Sequence, residues 1–182
     1  YDVLEKKDFF QEQRTEKVRK RKRKIRQALI GEFSEKRLLK AINSLNNRYL
    51  LSNRSAEIIP HMRLSLNRGR KALAMQIEHM EEAKFTEVTI STIDSPGLFS
   101  QIAGVMAAHS VNILGAQIYT RKDGDVLDVL QVNSAHGEIV SKPEKWRKLE
   151  DDLTAVLEGR VMVEDLVAKL QAPSFYTKKN RQ

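Results

Sequence analysis

The residues Ile93-Asp94-Ser95-Pro96-Gly97-Leu98-Phe99 are those whose types and spacing carry chemistry. An acidic side chain between a strand pattern and a helix pattern can accept hydrogen bonds from open amides at the helix start. Proline suits the first helical turn, where its missing N–H costs nothing. Glycine lets the backbone approach a ligand closely. A tight turn, free amides and the positive end of a helix together make a site for a small anionic or zwitterionic molecule. The same residues also make a well-capped strand-to-helix turn with no ligand. The turn taken alone leaves both readings open.

Other candidate groups are sparse. The chain has no cysteine, so it has neither disulfide nor thiolate chemistry. His61 lies among the apolar positions Ile58, Ile59, Met62 and Leu64, with no second histidine or aspartate at metal-ligand spacing. A packed or hydrogen-bonded histidine is therefore expected rather than a metal ligand. Glu150, Asp151 and Asp152 fall in a helix pattern and read as a solvated face. No paired chemical groups point to catalysis within the chain, and no cofactor is expected in it.

Charge is the other strong signal. The net charge of +8 is unevenly placed: residues 1–84 hold 21 Lys/Arg against 11 Asp/Glu, and residues 85–182 hold 11 against 13. Two regions with different surroundings follow from that asymmetry. Arg14, Lys17, Arg19, Lys20, Arg21, Lys22, Arg23, Lys24 and Arg26 crowd one segment. Such a run can contact phosphates or an acidic partner. It lacks interleaved aromatics and any base-reading motif, so nucleic-acid binding is disfavoured. A solvated helix lying against an acidic neighbour is the expected arrangement. No apolar run approaches membrane-spanning length. The start does not resemble a signal peptide, and Tyr1 in place of methionine reads as a cut fragment.

Hydrophobic periodicity places these groups on elements. Residues 1 to about 30 read as one helix, ended by Gly31. Ser34 caps a second helix over about 35–47, which Asn46-Asn47 breaks, and Tyr49-Leu50-Leu51 reads as a short apolar anchor. A further helix starts at Ser55 and runs to Arg68-Gly69, with Pro60 awkward unless it stays in the first turns. Leu73, Met75, Ile77 and His79 alternate with Ala74, Gln76 and Glu78, which predicts a strand although the composition favours a helix. A second strand runs from Phe85 to Ile93, and a helix runs from the turn to His109. Val111–Thr120 predicts a third strand. Lys122-Asp123-Gly124-Asp125 predicts a hairpin, and Val126–Val132 its returning strand. Ser141 with Glu144 suggests a capping box before a helix that carries Trp146, Leu149 and Leu153 and stops at Gly159. Val163, Leu166, Val167 and Leu170 then repeat at helical spacing. From residue 85 the order is strand, helix, strand, strand, helix, which packs as an α+β two-layer sandwich. The expected division is a helical segment over 1–70, the sandwich over 71–170 and a polar linker over 171–182.

In this region the chain resembles the ACT-domain family. Within it, the chain is most similar to the bacterial bifunctional uridylyltransferase/uridylyl-removing enzymes that modify the nitrogen-signalling protein PII. The matching residues are Thr86-Glu87-Val88-Thr89 and Asp94-Ser95-Pro96-Gly97-Leu98-Phe99-Ser100-Gln101-Ile102-Ala103-Gly104-Val105. Asn112-Ile113, Ala116, Ile118, Thr120, Asp123-Gly124 and Asp128-Val129 continue the match, as do Trp146–Leu153 and Gly159-Arg160-Val161. Upstream, Arg48-Tyr49-Leu50-Leu51-Ser52, Ile58 and His61 also fit.

The resemblance implies a helical segment after a hydrolase domain, followed by a ferredoxin-like βαββαβ ACT domain. It implies a multidomain cytoplasmic enzyme that uses UTP and PII, with Mg2+ or another divalent metal at active sites outside this chain. Glutamine is the implied effector. Asp94, Pro96, Gly97 and Leu98 would hold the amino and carboxylate groups of the amino acid, and Asn112 and Ile113 would line the other wall. Pairing of one ACT domain with another is implied as well. A purely structural or dimerising ACT module with a basic docking helix is the alternative. Two departures stand out. Ser110 occupies a position where the family commonly has glycine. The usual fourth strand is not evident after Gly159, so it is expected to be missing, or replaced at the sheet edge by the alternating strand near residues 72–79.

Overall fold

A computed structural model describes residues 2–171. The expected linker falls almost wholly on residues 172–182, which lie outside the described residues, as does any fourth strand sought there. The elements are α1 (Asp2–Leu29), α2 (Glu35–Ser44), α3 (Asn47–Ser52), α4 (Ser55–Arg68), β1 (Ala74–Met80), β2 (Phe85–Ile93), α5 (Leu98–Ala108), β3 (Val111–Thr120), β4 (Asp125–Ser134), α6 (Pro143–Leu157) and α7 (Val163–Gln171). The strands form one four-stranded sheet in the order β1-β2-β4-β3. This mixed α+β architecture, with helices before an antiparallel sheet, is consistent with an ACT-like, ferredoxin-like arrangement. β1 takes the edge beside β2, so four strands are present without any contribution from beyond α7.

The chain divides into two compact units. The first runs up to Glu78 and adds Glu87–Asp94 and Gly115–Leu130. Its core gathers Ile25 and Leu29 of α1, Leu38 and Ile42 of α2, Leu50 of α3, and Ile58 and Met62 of α4 with Leu127 and Val129 of β4. Each helix presents one apolar stripe, and burying those stripes against each other is what stabilises helices this short. The unpredicted helix is α3. Asn46 starts it by accepting a hydrogen bond from the Tyr49 amide at 2.7 Å, so the asparagines that read as a breaker act as a cap. Its C-terminal end is held by Arg21, whose guanidinium donates to the carbonyls of Leu50 and Asn53. One cation of the basic run therefore serves the fold, satisfying carbonyls that a helix end leaves open.

The second unit holds His79–Thr86, Ser95–Leu114 and the chain from Gln131 onward. Here α5 packs on α6 and α7. Gly104 of α5 faces Val163 of α7 so closely that a Cβ would collide with the valine side chain. Of Val161–Val163, which also suit a strand, none is in one: Val163 begins α7, and Val161 and Met162 lie in the link before it. Two capping expectations are corrected. Lys142, not Ser141, holds the N-cap position of α6, with no side-chain cap, and Pro143 is its first residue. Ser34 does hold the N-cap position of α2, but its hydroxyl makes no capping bond.

Ser110 lies between α5 and β3 with φ of 53°. That left-handed conformation costs an L-residue roughly 1–2 kcal/mol and costs glycine almost nothing. The departure from glycine noted in the sequence is thus a strained link. Ser110→Gly is expected to stabilise the chain by about 0.5–1 kcal/mol, the strain relief being offset in part by the freer unfolded chain. A urea denaturation midpoint that does not rise would contradict this.

Candidate functional site

The turn after β2 is open to solvent: Asp94, Ser95, Pro96 and Gly97 are all exposed. The Asp94 amide donates to the Gly124 carbonyl at 2.8 Å, which ties the end of β2 to the β3–β4 hairpin. That hairpin has the expected Asp-Gly turn, with Gly124 at φ of 86°. Gly97 is the N-cap of α5, at φ 74° and ψ 11°, a left-handed geometry that favours glycine. No side chain caps α5. This corrects the role expected of Asp94. Pro96 precedes the cap residue and so lies outside the first helical turn. The helix start has no side-chain cap, and the Leu98 amide donates to the Ser95 backbone carbonyl at 3.1 Å.

The remaining expected site residues divide. Leu98 is buried. Asn112 is exposed near the start of β3, and its side-chain amide donates to the Ser134 carbonyl at 3.2 Å. Ile113 is half-buried on the same strand.

Sequence reasoning gave no role to Asp128. It lies in the apolar run Val126-Leu127-Asp128-Val129-Leu130 of β4, only 1% exposed. Its Oδ1 has no hydrogen-bond partner, and neither do the hydroxyls of Ser91 and Thr92 on β2. Burial first, and then the negative charge of Asp94, push the Asp128 carboxyl up to about 6. A lone acid inside an apolar strand was the signal available in the sequence.

The other polar clusters are largely paired, though Arg68 Nε and Asn133 Oδ1 are also enclosed without a partner. Tyr49 Oη lies 2.9 Å from His61 Nδ1, and the Tyr49 and Tyr119 rings meet edge-on at 4.6 Å. Burial, opposed by Glu57, lowers the His61 pKa and keeps the imidazole neutral near pH 7. Burial raises the Tyr49 phenol. Arg121 donates to the hydroxyls of Ser44 and Ser65, each at 2.8 Å, and pairs with Asp123 and Asp125. In the second unit His109 Nε2 lies 2.8 Å from Asp152 Oδ2. Asp152 is therefore not part of a solvated face, whereas Asp151 is exposed as expected. Among the described residues no cluster of three or more histidine, aspartate or glutamate side chains is placed to hold a metal ion. No described helix is long and apolar enough to cross a membrane.

Along α1, Arg19 and Lys20 pair with Glu16, and Arg26 pairs with Glu35. Lys17, Lys20, Arg21, Arg23 and Lys24 line an open groove that Arg54 and Ser55 close from the start of α4.

Protein-family comparison matches no family model. Individual relatives are more informative. Over 119 residues the chain is 39% identical to a bifunctional uridylyltransferase/uridylyl-removing enzyme of Rhodospirillum rubrum, covering 64% of the chain and 13% of that enzyme. The enzyme of the same name in Rhodopseudomonas palustris is 33% identical over 108 residues, covering 59% of the chain and 12% of the enzyme. That of Nitrobacter hamburgensis is 31% identical over 147 residues, covering 80% of the chain and 16% of the enzyme. The chain therefore spans less than a fifth of the length of these relatives, and over that span it is homologous to bacterial bifunctional uridylyltransferase/uridylyl-removing enzymes.

Proposed function

We propose that the chain is a regulatory, glutamine-sensing ACT segment of an enzyme that uridylylates and deuridylylates PII. The observation that carries this reading is the sequence relationship to enzymes of that name, together with an ACT-like order of strands and helices. On this reading the chemistry on UTP and PII, and any divalent metal, belong to residues outside this chain. The turn at Asp94, Pro96, Gly97 and Leu98 senses rather than reacts, with Asn112 and Ile113 as the second wall. Support comes from the turn's exposure, the uncapped positive end of α5 and the left-handed Gly97. Titration calorimetry with L-glutamine tests it, first on the chain and then on the protein extended through a second ACT domain. Binding is expected, and Asp94→Ala should weaken it about tenfold or more, the effect of losing a charged hydrogen-bond partner. Silence in both titrations would remove the reading.

A second reading, a structural or dimerising module, is favoured by β3. It is an edge strand of the sheet, and Leu114 and Ile118 stand exposed on it. An unpaired apolar edge invites pairing with another strand. Strong self-association in sedimentation, with silent calorimetry, would favour this second reading, in which the basic groove of α1 serves docking.

A further inference from the structure

An open groove of about 1120 Å³ runs beside α1, with Arg54 and Ser55 of α4 on its other side. It reaches from Phe9 to Gln27 of α1, about 27 Å at 1.5 Å per residue, or about five turns. Lys17, Lys20, Arg21, Arg23, Lys24 and Arg54 line it, against Glu12 and Glu16. Three of these cations are already engaged: Arg21 by the carbonyls that end α3, Arg54 by Glu57, and Lys20 by Glu16 at 3.9 Å. Lys17, Arg23 and Lys24 are exposed and take part in no ion pair among the described residues. Lys17, Lys20 and Lys24 follow one another at steps of three and four residues, so they share one stripe of the helix. Towards the start of α1, Phe9 and Phe10 stand 58% and 61% exposed, their rings edge-on with centroids 6.3 Å apart. Like charges crowded on one helix face repel each other, and a surface of opposite charge removes that cost.

We propose that this groove docks an acidic helical segment of a partner polypeptide, its carboxylates along Lys17, Lys20 and Lys24 and an apolar end against Phe9 and Phe10. Charge disfavours the occupants nearest to hand. Residues 172–182 carry Lys178, Lys179 and Arg181 and no acid. A second copy brings its own net charge of +8, so two copies repel as they approach. Nucleic acid would meet Glu12 and Glu16 among the cations, and no aromatic residue interleaves the lysines for base stacking. A polypeptide can answer both signs, placing a basic residue of its own beside Glu12. Spacing then selects a helix. Same-face carboxylates on a helix recur every three or four residues, about 4.5–6 Å of rise, as these lysines do. On an extended chain they recur about every 6.8 Å and drift about 3 Å out of step over two contacts. The groove shares no residue with the Asp94 turn, so its occupant does not depend on the amino-acid-sensing reading.

Fluorescence anisotropy on the whole chain tests this with a labelled helical peptide of about 18 residues, the length that spans the groove. It carries glutamates at every third or fourth position and two leucines at one end. A scrambled peptide of the same composition and a single-stranded oligothymidylate of equal charge are the comparisons. The ordered peptide is expected to bind about tenfold or more tightly than either, and to weaken as salt rises. Lys17→Glu with Lys24→Glu should weaken it about tenfold or more. Lys36→Glu with Arg70→Glu, at exposed positions outside the groove, makes the same change in net charge and should leave binding little altered. Phe9→Ala with Phe10→Ala should weaken it several-fold. Circular dichroism establishes that the variants are folded. Equal affinity for the ordered and scrambled peptides, or for wild type and the folded Lys17→Glu, Lys24→Glu variant, would overturn the inference. Tighter binding of the oligothymidylate would overturn it in favour of a nucleic-acid surface. Self-association in sedimentation that the same double variant abolishes would overturn it in favour of a second copy.

Discussion

Asparagine in place of Asp128 is expected to leave stability almost unchanged near pH 4 and to raise it by up to about 3 kcal/mol at pH 8. The Asp128 carboxyl ordinarily titrates at 3.8, and in the folded chain it is pushed up to about 6. The folded state therefore holds this proton more tightly than the unfolded state does. Below pH 3.8 the group is protonated in both states, and its contribution to stability is fully present. As pH rises through 6 the folded state must ionise a buried acid, and that contribution is lost. A difference of about two pH units corresponds to about 3 kcal/mol. Asparagine keeps the shape and does not ionise. Urea denaturation of both proteins across pH 4–8 isolates the effect, because every other titrating group is common to the two. A gap between variant and wild type that does not change with pH would show that burial of this charge is not what destabilises the chain.

Arg68→Ala is expected to destabilise the chain by about 3 kcal/mol. Arg68 is 4% exposed at the end of α4. Its guanidinium donates to Asp125 Oδ1 and to the Lys71 carbonyl, both at 2.8 Å. Removing one member of a buried pair leaves the other charged and poorly solvated, typically a loss of about 3–5 kcal/mol. Asp125 keeps Ser65 at 3.0 Å and Arg121 at 3.4 Å, which argues for the lower end. The double variant Arg68→Met with Asp125→Leu should recover much of the loss, since replacing both partners by apolar groups is often close to neutral. Chemical denaturation of the two variants separates the alternatives: equal destabilisation in both would show that packing, not the stranded charge, is what matters.

Much of the architecture was legible because it follows from periodicity. Alternation at Leu73–His79 predicts β1 against helix-favouring composition, and the structure has a strand at Ala74–Met80. The Asp123-Gly124 turn announces its hairpin through the need for a positive φ. What sequence could not reach depends on partners distant in the chain. Asn46 reads as a breaker unless Tyr49 is known to need a cap. Arg21 reads as one cation in a run until α3 ends against it. The candidate site divides in the same way. The turn's exposure and glycine geometry were legible, but capping was assigned to Asp94 when Gly97 starts α5 without a side-chain cap. Asp128 entered only as part of the family resemblance, without a role, because its significance lies in what it lacks, and only a packed structure shows which donors a buried oxygen fails to meet.

The position of β1 bears on how the sheet assembles. It joins β2 through residues 81–84 alone, a closure of the kind that forms in microseconds. A strand placed after α6 would have to return across roughly sixteen times that length of chain. At about 0.6 kcal/mol for each doubling of loop length, that difference is about 2.4 kcal/mol of chain entropy. The edge beside β2 can therefore be templated early by a local hairpin, before β4 arrives from the far side of α5, and β2 need not wait unpaired during folding.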